Sequence, residues 1–381
     1  MREGWCKRKI EEIATITMGQ SPSGNSINET EGVEFHQGKI YFGEKYINES
    51  HFYTSEPIRI AEPNSLLLCV RAPIGVVNMT ARKICIGRGL CSIKANDSIH
   101  SNFLYYALRS QKDYFNKNAT GSTFLAISSN VVKDTPISFP SKEKQCQIAS
   151  ELDKITEMIS KYDEQLKELD KLSQSIFYEM FGDPVENEKG WESYSLEKVC
   201  SSIVRGPFGS ALKKEYFVNP DETTYKVYEQ KHAIQKDAEI GNYYITKEKF
   251  NELSRFEVKS GDIIMSCSGT IGELYAIPSG SKKGLINQAL LKFTLNEKIC
   301  VSFFLFLMDC VKKDFTVRGT GLQNIGSVNI IKAMEFGLPP LPLQQSFARK
   351  IEAIEAMKSK VREAKKEAET LLAARMQYWF E

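Results

Sequence analysis

This chain of 381 residues lacks the sequence patterns of a metal site. Its nine cysteines are an odd number and form no C-x-x-C pair, and its four histidines show no metal-ligand spacing. Closely spaced cysteines and histidines are the usual sequence pattern of structural zinc sites. We therefore expect no metal. Most cysteines, including Cys69, Cys85, Cys91 and Cys267, are expected to be small buried hydrophobes in a reducing compartment.

Long apolar runs are also missing. The two longest, at 66–70 and 301–308, are much shorter than the roughly 20 residues that span a bilayer. The N-terminal segment MREGWCKRKIEEI has no apolar core of the kind that a signal peptide carries. We therefore expect a cytoplasmic protein.

Motifs for enzymatic chemistry are absent as well. The segment GSKKG at 280–284 lacks the spacing and the terminal hydroxyl residue of a phosphate-binding loop. GTG at 319–321 follows a predicted helix, not a strand, and Pro220-Asp221-Glu222 has no nearby Glu-x-Lys partner. An N-P-P-[FY] methyltransferase motif does not occur. We expect no catalytic residue, and a recognition or assembly protein in place of an enzyme.

The chain does contain a long helical pattern over residues 142–182. Its apolar positions alternate in steps of three and four, which is the spacing of a coiled-coil seam. They are Ile148, Leu152, Ile155, Ile159, Tyr162, Leu166, Leu169, Ile176 and Met180, with a break only at Ser173. Gly182 and Pro184 end the pattern. Such a helix is a rod of roughly 55–60 Å, and its narrow seam needs a partner helix.

An internal repeat supplies that partner. The segment ISFPSKEKQCQIASELDKI at 137–155 aligns without a gap on FGLPPLPLQQSFARKIEAI at 336–354, an offset of 336 − 137 = 199. LLCVRAPIG at 67–75 matches IMSCSGTIG at 264–272, and IGRGL at 86–90 matches INQAL at 286–290. Self-similarity of this kind indicates two copies of one structural unit, each ending in a long helix.

The repeat predicts four segments, at 1–141, 142–182, 183–341 and 342–381. The first and third are expected to be globular and α/β (α+β), because glycine-punctuated strand patterns such as GDIIMSCSGTIGELYAI alternate with amphipathic helices such as SNFLYYALRSQKDYF. The second and fourth are the long helices. Since the first helix carries the chain to the second globular domain, we expect an antiparallel coiled coil and a pseudo-twofold symmetric chain.

Two similar but diverged domains on a rigid spacer suit the recognition of a bipartite target. Major-groove faces of B-DNA recur about every 34–36 Å, so two domains on such a rod can contact two half-sites across an unread gap. The domains differ most at 20–45 and 206–243, which predicts two different half-sites. The net charge of +2 neither indicates nor excludes a nucleic-acid partner, because acidic helices can balance a basic face.

The segments GDIIMSCSGTIG, INQAL, LPPLPLQQSFARKI and MFGDP together resemble those of type I restriction-modification specificity (S) subunits, over essentially the whole chain. IGRGL departs from the INQ-type segment of that family. The resemblance implies two α/β target-recognition domains that bind a split double-stranded DNA sequence and are held apart by two helices in an antiparallel coiled coil. It implies assembly with two modification (methyltransferase) subunits and with restriction subunits that are ATP-dependent translocases and nucleases.

The same resemblance implies how chemistry is divided among the subunits. This chain would supply specificity without catalysis and would bind no cofactor. S-adenosylmethionine and ATP would be bound by the partner subunits, and adenine would be the methylated base. The alternative interpretation is a coiled-coil assembly scaffold without its own sequence-specific DNA binding.

Polar residues of the glycine-rich loops are the predicted DNA contacts. Arg, Lys, Asn and Gln read base edges, while hydroxyl and basic side chains hold phosphates. In the first domain the candidates are Gln20, Ser21, Ser23, Asn25, Gln37, Thr120, Ser122 and Thr123. In the second domain they are Arg205, Ser210, Lys213, Lys214, Gln230, Arg318, Thr320 and Gln323. For each of them the alternative is a solvated loop residue.

Large aromatic residues at the ends of the long helices form a second predicted set. Phe177, Phe181, Trp379 and Phe380 are predicted to bind a methyltransferase subunit. The alternative, weighted equally, is that they pack as caps on the coiled-coil core.

Overall fold

The structure is a computed structural model and describes residues 2–121, 125–317 and 328–381. The chain divides into two compact units, which we call unit 1 and unit 2. Unit 1 comprises Met1–Leu166 and Lys360–Glu381, and unit 2 comprises Lys167–Ser359. The division falls inside both long helices, so each of these helices contributes residues to each unit.

Unit 1 is built from short strands and helices. Its strands are β1 (Cys6–Lys9), β2 (Ala14–Met18), β3 (Ile27–Asn28), β4 (Val33–His36), β5 (Tyr53–Thr54), β6 (Ile60–Ala61), β7 (Ser65–Cys69), β8 (Val77–Thr80), β9 (Ile84–Ile86), β10 (Leu90–Ala95) and β11 (Pro136–Phe139). Its helices are α1 (Ile10–Ile13), α2 (Ser101–Ser110), α3 (Lys112–Lys117), α4 (Ser129–Asp134) and the first part of α5 (Lys142–Phe181).

Three sheets organise unit 1. Strands β2, β10, β7 and β8 form an antiparallel sheet in that order. A second sheet has the order β3-β5-β4-β9-β6, in which β4 and β9 run parallel and the other pairs are antiparallel. Strand β1 pairs with β11 next to the start of α5. Strand β10 thus follows β9 after a short turn and carries the chain from one large sheet into the other.

Helix α2 supplies the aromatic core of unit 1. It packs on β7, β8 and β10, and its Phe103, Tyr105 and Tyr106 are at most 1% exposed. Full burial of such a side chain contributes about 1.5–3 kcal/mol. The sequence predicted these aromatic residues as core and not as base-stacking groups, and their burial bears this out.

Unit 2 contains the remaining elements. Its strands are β12 (Glu192–Ser195), β13 (Cys200–Arg205), β14 (Tyr225–Tyr228), β15 (Tyr244–Ile245), β16 (Glu257–Val258), β17 (Ile263–Ser266), β18 (Leu274–Ala276), β19 (Gly284–Ile286), β20 (Leu290–Leu295) and β21 (Glu335–Leu338). Its helices are α6 (Leu196–Val199), α7 (Gln230–Gln235), α8 (Lys247–Glu252), α9 (Val301–Val317), α10 (Val328–Lys332) and the first part of α11 (Leu341–Phe380).

The topology of unit 2 repeats that of unit 1. The sheet β13-β20-β17-β18 corresponds to β2-β10-β7-β8, and the pair β12-β21 corresponds to β1-β11. The sheet β15-β14-β19-β16 again has one parallel pair, β14 with β19. The segment GDIIMSCSGTIGELYAI forms β17 and β18 around a turn, as predicted. The predicted plan of two mixed α/β copies is confirmed.

The long helices run antiparallel in unit 1. Glu151 of α5 binds Arg375 of α11, and Asp163 of α5 binds Lys365 of α11 at 2.6 Å. The residue number rises along one helix as it falls along the other, which defines the antiparallel direction.

The same direction is seen within unit 2. Asp170 of α5 binds Lys358 of α11 at 2.7 Å, and the rings of Phe177 and Phe347 lie 5.5 Å apart. The four residues lie in unit 2 and belong to the later part of α5 and the earlier part of α11. The antiparallel pairing predicted from the repeat is therefore present in each unit.

The four cysteines expected to be buried are at most 2% exposed. Burial raises the pKa of the Cys69 and Cys91 thiols to about 12, so both stay protonated and inert. No group of three or more His, Cys, Asp and Glu residues in the described part of the chain is arranged to hold a metal.

Among the helices of residues 2–121, 125–317 and 328–381, none combines the length and the apolar character needed to cross a membrane.

Candidate nucleic-acid interface

A tight turn at 87–90 follows β9 in unit 1. The amide of Leu90 donates to the carbonyl of Gly87 at 3.0 Å, which closes the turn. The amide of Gly87 donates to the carbonyl of His36 at 2.8 Å, which ties the turn to the end of β4. Arg88 is the second residue of the turn and its side chain is exposed. We call residues 87–90 the tip turn of unit 1.

The first glycine-rich loop is bound to this turn. The amide of Gly19 donates to the carbonyl of Leu90 at 2.9 Å, and the amide of Gln20 donates to that of Ile86 at 3.0 Å. A Cβ atom on Gly19 would lie 2.1 Å from the carbonyl oxygen of Gly87, so only glycine fits here. The loop that carries Gln20 is thereby fixed against the tip turn.

Two further segments complete the surface in unit 1. The amide of Val70 donates to the carbonyl of Gly89 at 3.0 Å, and the amide of Ile127 donates to the carbonyl of Val70 at 2.9 Å. Thr120 and Ala126 exchange two backbone hydrogen bonds of 2.9 Å. These bonds connect the loop of Thr120, through the end of β7, to the same tip turn.

A concavity of about 210 Å³ opens beside the tip turn. Its lining includes four exposed polar side chains, those of Gln37, Lys39, Arg71 and Arg88. Within the described residues, none of the three cations has a hydrogen-bonding or ion-pairing partner for its side chain. Unpaired cations around one concavity attract phosphate oxygens and the acceptor edge of guanine.

A partly buried ion pair supports the end of β4 next to this concavity. Arg82 donates to Glu34 through two nitrogens, at 2.5 and 2.6 Å, and the Ser50 amide donates to the same carboxylate at 2.7 Å. Burial alone would raise the pKa of Glu34, but these hydrogen bonds and that from His36 hold it below its usual value. The Nε2–H of His36 donates to Glu34 at 2.7 Å. Burial lowers the pKa of His36, so this ring is neutral near pH 7.

Unit 2 has an equivalent turn at 287–290, which we call its tip turn. The amide of Leu290 donates to the carbonyl of Asn287 at 3.1 Å, and the amide of Asn287 donates to the carbonyl of Tyr228 at 2.9 Å. The Asn287 side chain also accepts the amide of Ala289 at 3.0 Å. Gln288 is the second residue of this turn and is exposed. It stands where unit 1 has Arg88.

The loop after β13 meets the tip turn of unit 2 as the loop after β2 does in unit 1. The amide of Gly206 donates to the carbonyl of Leu290 at 3.0 Å. A Cβ atom on Gly206 would lie 1.9 Å from the carbonyl oxygen of Asn287. The close approach of two backbones therefore requires glycine at this place in both units.

Basic and aromatic side chains surround the loop after β13. The guanidinium of Arg205 lies 5.1 Å from the ring centre of Phe208, whose side chain is 66% exposed. Lys213 and Lys214 are exposed, and Lys213 forms a loose ion pair with Glu215 at 3.5 Å. Exposed pairs of this kind contribute at most about 1 kcal/mol, so Lys213 remains available to an anionic partner.

Gln37 and Gln230 match in the sequence at an offset of 230 − 37 = 193. The strand register corrects this match. The parallel pairs β4-β9 and β14-β19 place His36 and Tyr228 at equivalent positions. The residue that corresponds to Gln37 is therefore Glu229, one residue before Gln230. Gln230 is half-buried and begins α7.

A buried histidine also supports this end of unit 2. His232 is 0% exposed; its Nε2–H donates to the carbonyl of Ile240 at 2.7 Å, and its Nδ1 accepts the amide of Glu229 at 2.8 Å. Burial lowers the pKa of His232, and the backbone carbonyls of Glu229 and Ile240 beside its ring nitrogens offset this only in part. The neutral ring holds the start of α7, which carries Gln230, in place.

Comparison with known protein families gives a match that covers both units. The model of the family "Type I restriction modification DNA specificity domain" matches residues 2–171 and 188–369. The chain belongs to this family. Because the two matched ranges each contain one long-helix region and one set of sheets, the specificity-domain family is represented twice in the chain, as the internal repeat predicted.

Two relatives from Methanocaldococcus jannaschii carry specificity-subunit names. The putative type I restriction enzyme MjaX specificity subunit is 36% identical over 168 residues, which cover 44% of this chain and 39% of that protein. The type I restriction enzyme MjaIX specificity subunit is 25% identical over 379 residues, which cover 90% of this chain and 85% of that protein. The first match thus spans less than half of the relative's length.

Two solved structures share the fold of this specificity-domain chain. The S subunit of a type I restriction-modification system from M. genitalium has a TM-score of 0.57 at 17% identity, covering 98% of this chain and 95% of that one. A chain from a study of complex assembly and conformational transition of the type I R-M system has a TM-score of 0.62 at 15% identity, covering 100% and 98%. At these identities the likeness shows the fold alone.

The structure gathers only some of the candidate residues of the specificity-domain repeats. Gln20 and Gln37 are exposed and adjoin the tip turn of unit 1, and Thr120 is joined to it through β7. Ser23 and Asn25 are exposed farther along the loop, whereas the Ser21 hydroxyl is buried and has no hydrogen-bonding partner in the described residues. In unit 2, Arg205 is the last residue of β13, Lys213 and Lys214 lie between β13 and β14, and Gln230 is the first residue of α7.

Several other candidates cannot be placed. Ser122, Thr123, Arg318, Thr320 and Gln323 lie outside the described residues. Ser210 lies in a short 3-10 helix, Gly209–Leu212, and its side chain is likewise outside what the structure describes.

Sequence reasoning missed the residues at the tip turns. Arg88 and Gln288 were aligned within the IGRGL and INQAL segments but were not selected, and neither were Lys39 and Arg71. A usable signal was present, because an arginine between two glycines, directly before a strand, is typical of an exposed turn position.

The aromatic residues predicted to bind a partner belong to the cores of the units. Phe177 and Phe181 are 1% and 0% exposed and pack on Phe303 and Phe347 in unit 2, so they offer no side-chain surface to a partner. The prediction of a docking role is corrected for these two residues because Phe303 of α9 and Phe347 of α11 cover them.

The other two aromatic residues are only half-buried. Trp379 and Phe380 pack against the core of unit 1, where the ring of Phe380 lies 5.4 Å from that of Phe103. Packing accounts for their positions, while their exposed parts leave the docking alternative untested.

Proposed function

We propose that this chain is the DNA specificity subunit of a type I restriction-modification complex and that each unit binds one half of a bipartite, asymmetric target. The observation that carries the proposal is the pair of equivalent tip turns, which present Arg88 in unit 1 and Gln288 in unit 2. The two turns have equivalent backbone hydrogen bonds, whereas the adjoining segments 20–45 and 206–243 differ in sequence, which suits two different half-sites. Membership in the specificity-domain family supports the same conclusion.

Each unit combines groups for phosphate and for base contacts. In unit 1, Lys39 and Arg71 would contact phosphate oxygens, while Gln37 and Arg88 carry donors that could bind base edges. In unit 2, Lys213 and Lys214 take the phosphate role, with Gln230 near the turn after β17. Phosphate contacts fix the position on the duplex and base contacts supply the sequence preference.

We further propose that α5 and α11 act as a spacer and as the platform for partner subunits. Two modification subunits, with S-adenosylmethionine, would methylate adenine in the bound sequence, and restriction subunits would hydrolyse ATP. This chain would work in the cytoplasm and would supply specificity without catalysis. The antiparallel contacts within each unit support a helix pair that keeps a fixed length.

A selection experiment tests the proposal. The purified chain, in complex with its modification subunit, is incubated with duplexes that carry two random blocks separated by gaps of varied length, and bound DNA is sequenced. We expect enrichment of two different short sequences at one gap length. A coiled-coil scaffold without DNA specificity would give no enrichment beyond that of the modification subunit alone, which would overturn the proposal.

A further inference from the structure

Two large hydrophobic side chains are exposed on the candidate nucleic-acid interface, one in each unit. Ile40 of unit 1 is 83% exposed and Phe208 of unit 2 is 66% exposed. They are the two most exposed large hydrophobic side chains in the described part of the chain. Single exposed apolar residues are ordinary on protein surfaces, so what distinguishes these two is the anchored backbone and the cations around them.

The backbone around Ile40 is fixed by its neighbours. Ile40 is the middle residue of a short 3-10 helix, Lys39–Tyr41, whose first carbonyl accepts the amide of Phe42 at 2.9 Å. The carbonyl of Tyr41 accepts the amide of Asn48 at 2.8 Å, and Tyr41 and Phe42 pack on a core cluster of unit 1. The residues that follow Ile40 are therefore held by the core, while the Ile40 side chain is left exposed.

The loop after β13 holds Phe208 in a similar way. Gly206 and Pro207, directly before it, are buried, and Gly206 is bound to the tip turn of unit 2. Leu212, four residues after it, is 8% exposed and packs in a core cluster with Val227. The backbone of Phe208 is thus anchored on both sides, and its ring remains exposed.

The two side chains lie in the segments where the units differ most in sequence, 20–45 and 206–243. Gly19 and Gly206 make the same hydrogen bond to a tip turn, so the residue of unit 1 that corresponds to Phe208 is Ser21. Ser21 has a buried hydroxyl and no apolar surface to match that of Phe208. Each unit therefore exposes its apolar side chain at a different place, which suits two different half-sites.

Cations lie close to both side chains along the chain. Lys39, directly before Ile40, is one of the three cations that line the concavity of unit 1. Lys213 and Lys214 are exposed and follow Phe208 in the loop after β13. The buried centre of a protein–protein interface is usually depleted of charge. An apolar group with cations beside it suits DNA better, because phosphates flank the bases on every duplex.

A hydrocarbon side chain cannot bind a phosphate group. The apolar groups that a duplex offers to a protein are the methyl group of thymine and the face of a base that has lost its stacking neighbour. Phenylalanine contacts thymine methyl groups, and both phenylalanine and isoleucine are found inserted between base steps. An exposed Ile or Phe on a DNA-binding surface therefore meets the bases and not the backbone charge.

We propose that Ile40 and Phe208 each bind an apolar group of the DNA bases, Ile40 in the half-site of unit 1 and Phe208 in the half-site of unit 2. This rests on the proposed function. The group is a thymine methyl or a base face, and in both cases the contact removes the exposed side chain from water, which stabilises the complex.

Matched substitutions separate apolar character from size. Ile40→Thr keeps the β-branched shape and Ile40→Val keeps the apolar surface, and Phe208→Asn and Phe208→Leu form the same kind of pair. Ile330→Thr is the control, because Ile330 is 65% exposed in α10. Helix α10 packs on α6, which lies before β13 at the end of that strand away from the loop.

The full chain, assembled with its modification subunit, is titrated with the split target that the wild type selects and with duplexes in which one half-site is scrambled. We expect Ile40→Thr to reduce the preference for one intact half-site by about tenfold, and Phe208→Asn to do the same for the other. The apolar variants and Ile330→Thr should stay within about fourfold of the wild type. The slope of log K against log [salt] should not change, because no phosphate contact is lost.

Modified bases identify the apolar group. If it is a thymine methyl, replacement of that thymine by deoxyuridine weakens binding by the wild type and leaves the polar variant unaffected. If it is a base face, 2-aminopurine at the contacted step fluoresces more strongly with the wild type than with the polar variant.

Equal half-site preferences in the wild type and both polar variants would overturn the inference but leave the proposed function intact. A lost preference that no modified base reproduces would show an indirect effect and also overturn it. Weaker assembly with the modification subunit, at unchanged DNA preference, would place the two side chains in a protein interface and overturn it as well. Selection of no split target by the wild type would instead reject the proposed function.

Discussion

Gln145 and Gln344 make the same three hydrogen bonds at equivalent positions of the two units. Each is at most 1% exposed and lies in the first turns of a long helix. Each side chain accepts a hydrogen bond from one backbone amide directly before α2 or α9, and it donates hydrogen bonds to two backbone carbonyls. The partners are His100 N, Ser98 O and Pro140 O for Gln145, and Cys300 N, Lys298 O and Pro339 O for Gln344. One buried amide thus joins each long helix to its globular domain.

Replacement of this glutamine should destabilise the unit that contains it. In Gln145→Leu, the amide of His100 loses its buried acceptor, so we expect the free energy of unfolding of unit 1 to fall by about 1–3 kcal/mol. Denaturant titration of the full chain measures this. Gln147→Leu is the control, because Gln147 is exposed on the same helix. Equal midpoints for the two variants would show that the hydrogen bonds of Gln145 contribute nothing net.

Stability should decrease as the pH falls below about 6.5, the ordinary pKa of histidine. Burial lowers the pKa values of His36 and His232, so the folded chain binds these protons less readily than the unfolded chain does. Their contribution is complete above the unfolded pKa and is lost as the pH falls toward the folded values. Unfolding free energies of the variant His36→Gln/His232→Gln, measured from pH 8 to 5.5, should show a smaller slope than those of the wild type. His51→Gln, at an exposed position, should keep the full slope.

Replacement of the exposed lysines of unit 2 should weaken the binding of all DNA sequences alike. Lys213→Ala and Lys214→Ala are each expected to weaken binding of every duplex and to reduce the salt dependence, log K against log [salt], by about one unit. Filter binding between 50 and 200 mM salt measures both effects. Lys198→Ala is the control, because Lys198 is exposed and lies before β13, at the end of that strand away from the loop.

Gln230→Ala should instead change one half-site only, and an unchanged methylated motif would reject that role.

Lengthening the helix pair should lengthen the gap in the target. Seven residues added to α5 after Ser173, with seven added to α11 between Phe347 and Lys358, extend the pair by about 10 Å. At about 3.4 Å per base pair, the unread gap should grow by up to about three base pairs while both half-sites stay the same. Sequencing of the methylated sites measures the gap. A gap of unchanged length in an active complex would show that the helices do not set the spacing.

The repeat and the helices could be predicted from the sequence because their signals are local and periodic. The heptad spacing from Ile148 to Met180 predicted a helix that α5 matches to within a residue at each end. The gapless 199-residue offset aligned Gln145 with Gln344. The sheet topology could not be predicted in this way, because the strands β3, β5 and β15 are only two residues long and carry no periodic pattern.

The candidate site was predicted in part. The loop that carries Gln20 could be selected because glycine-rich loops mark close approaches of two backbones, as at Gly19 and Gly206. The match of Gln37 with Gln230 was wrong by one residue, because it was made in the diverged segment, where only the strand register fixes the alignment.

Arg88 was missed for a different reason. Its importance depends on neighbours that are distant in sequence, Lys39 and Arg71, and no local pattern brings these together. For the same reason the sequence could not decide between docking and burial for Phe177 and Phe181. Their burial depends on contacts with Phe303 and Phe347, which are distant in sequence.

The central claim is that two units of one chain select two different half-sites of a split DNA target. The most direct measurement is to express the wild-type chain with its modification subunit and sequence every methylated adenine in the host genome. We expect one motif with two different specified parts and a gap of constant length. Methylation within a single uninterrupted motif, or no sequence-selective methylation by an active complex, would contradict the account.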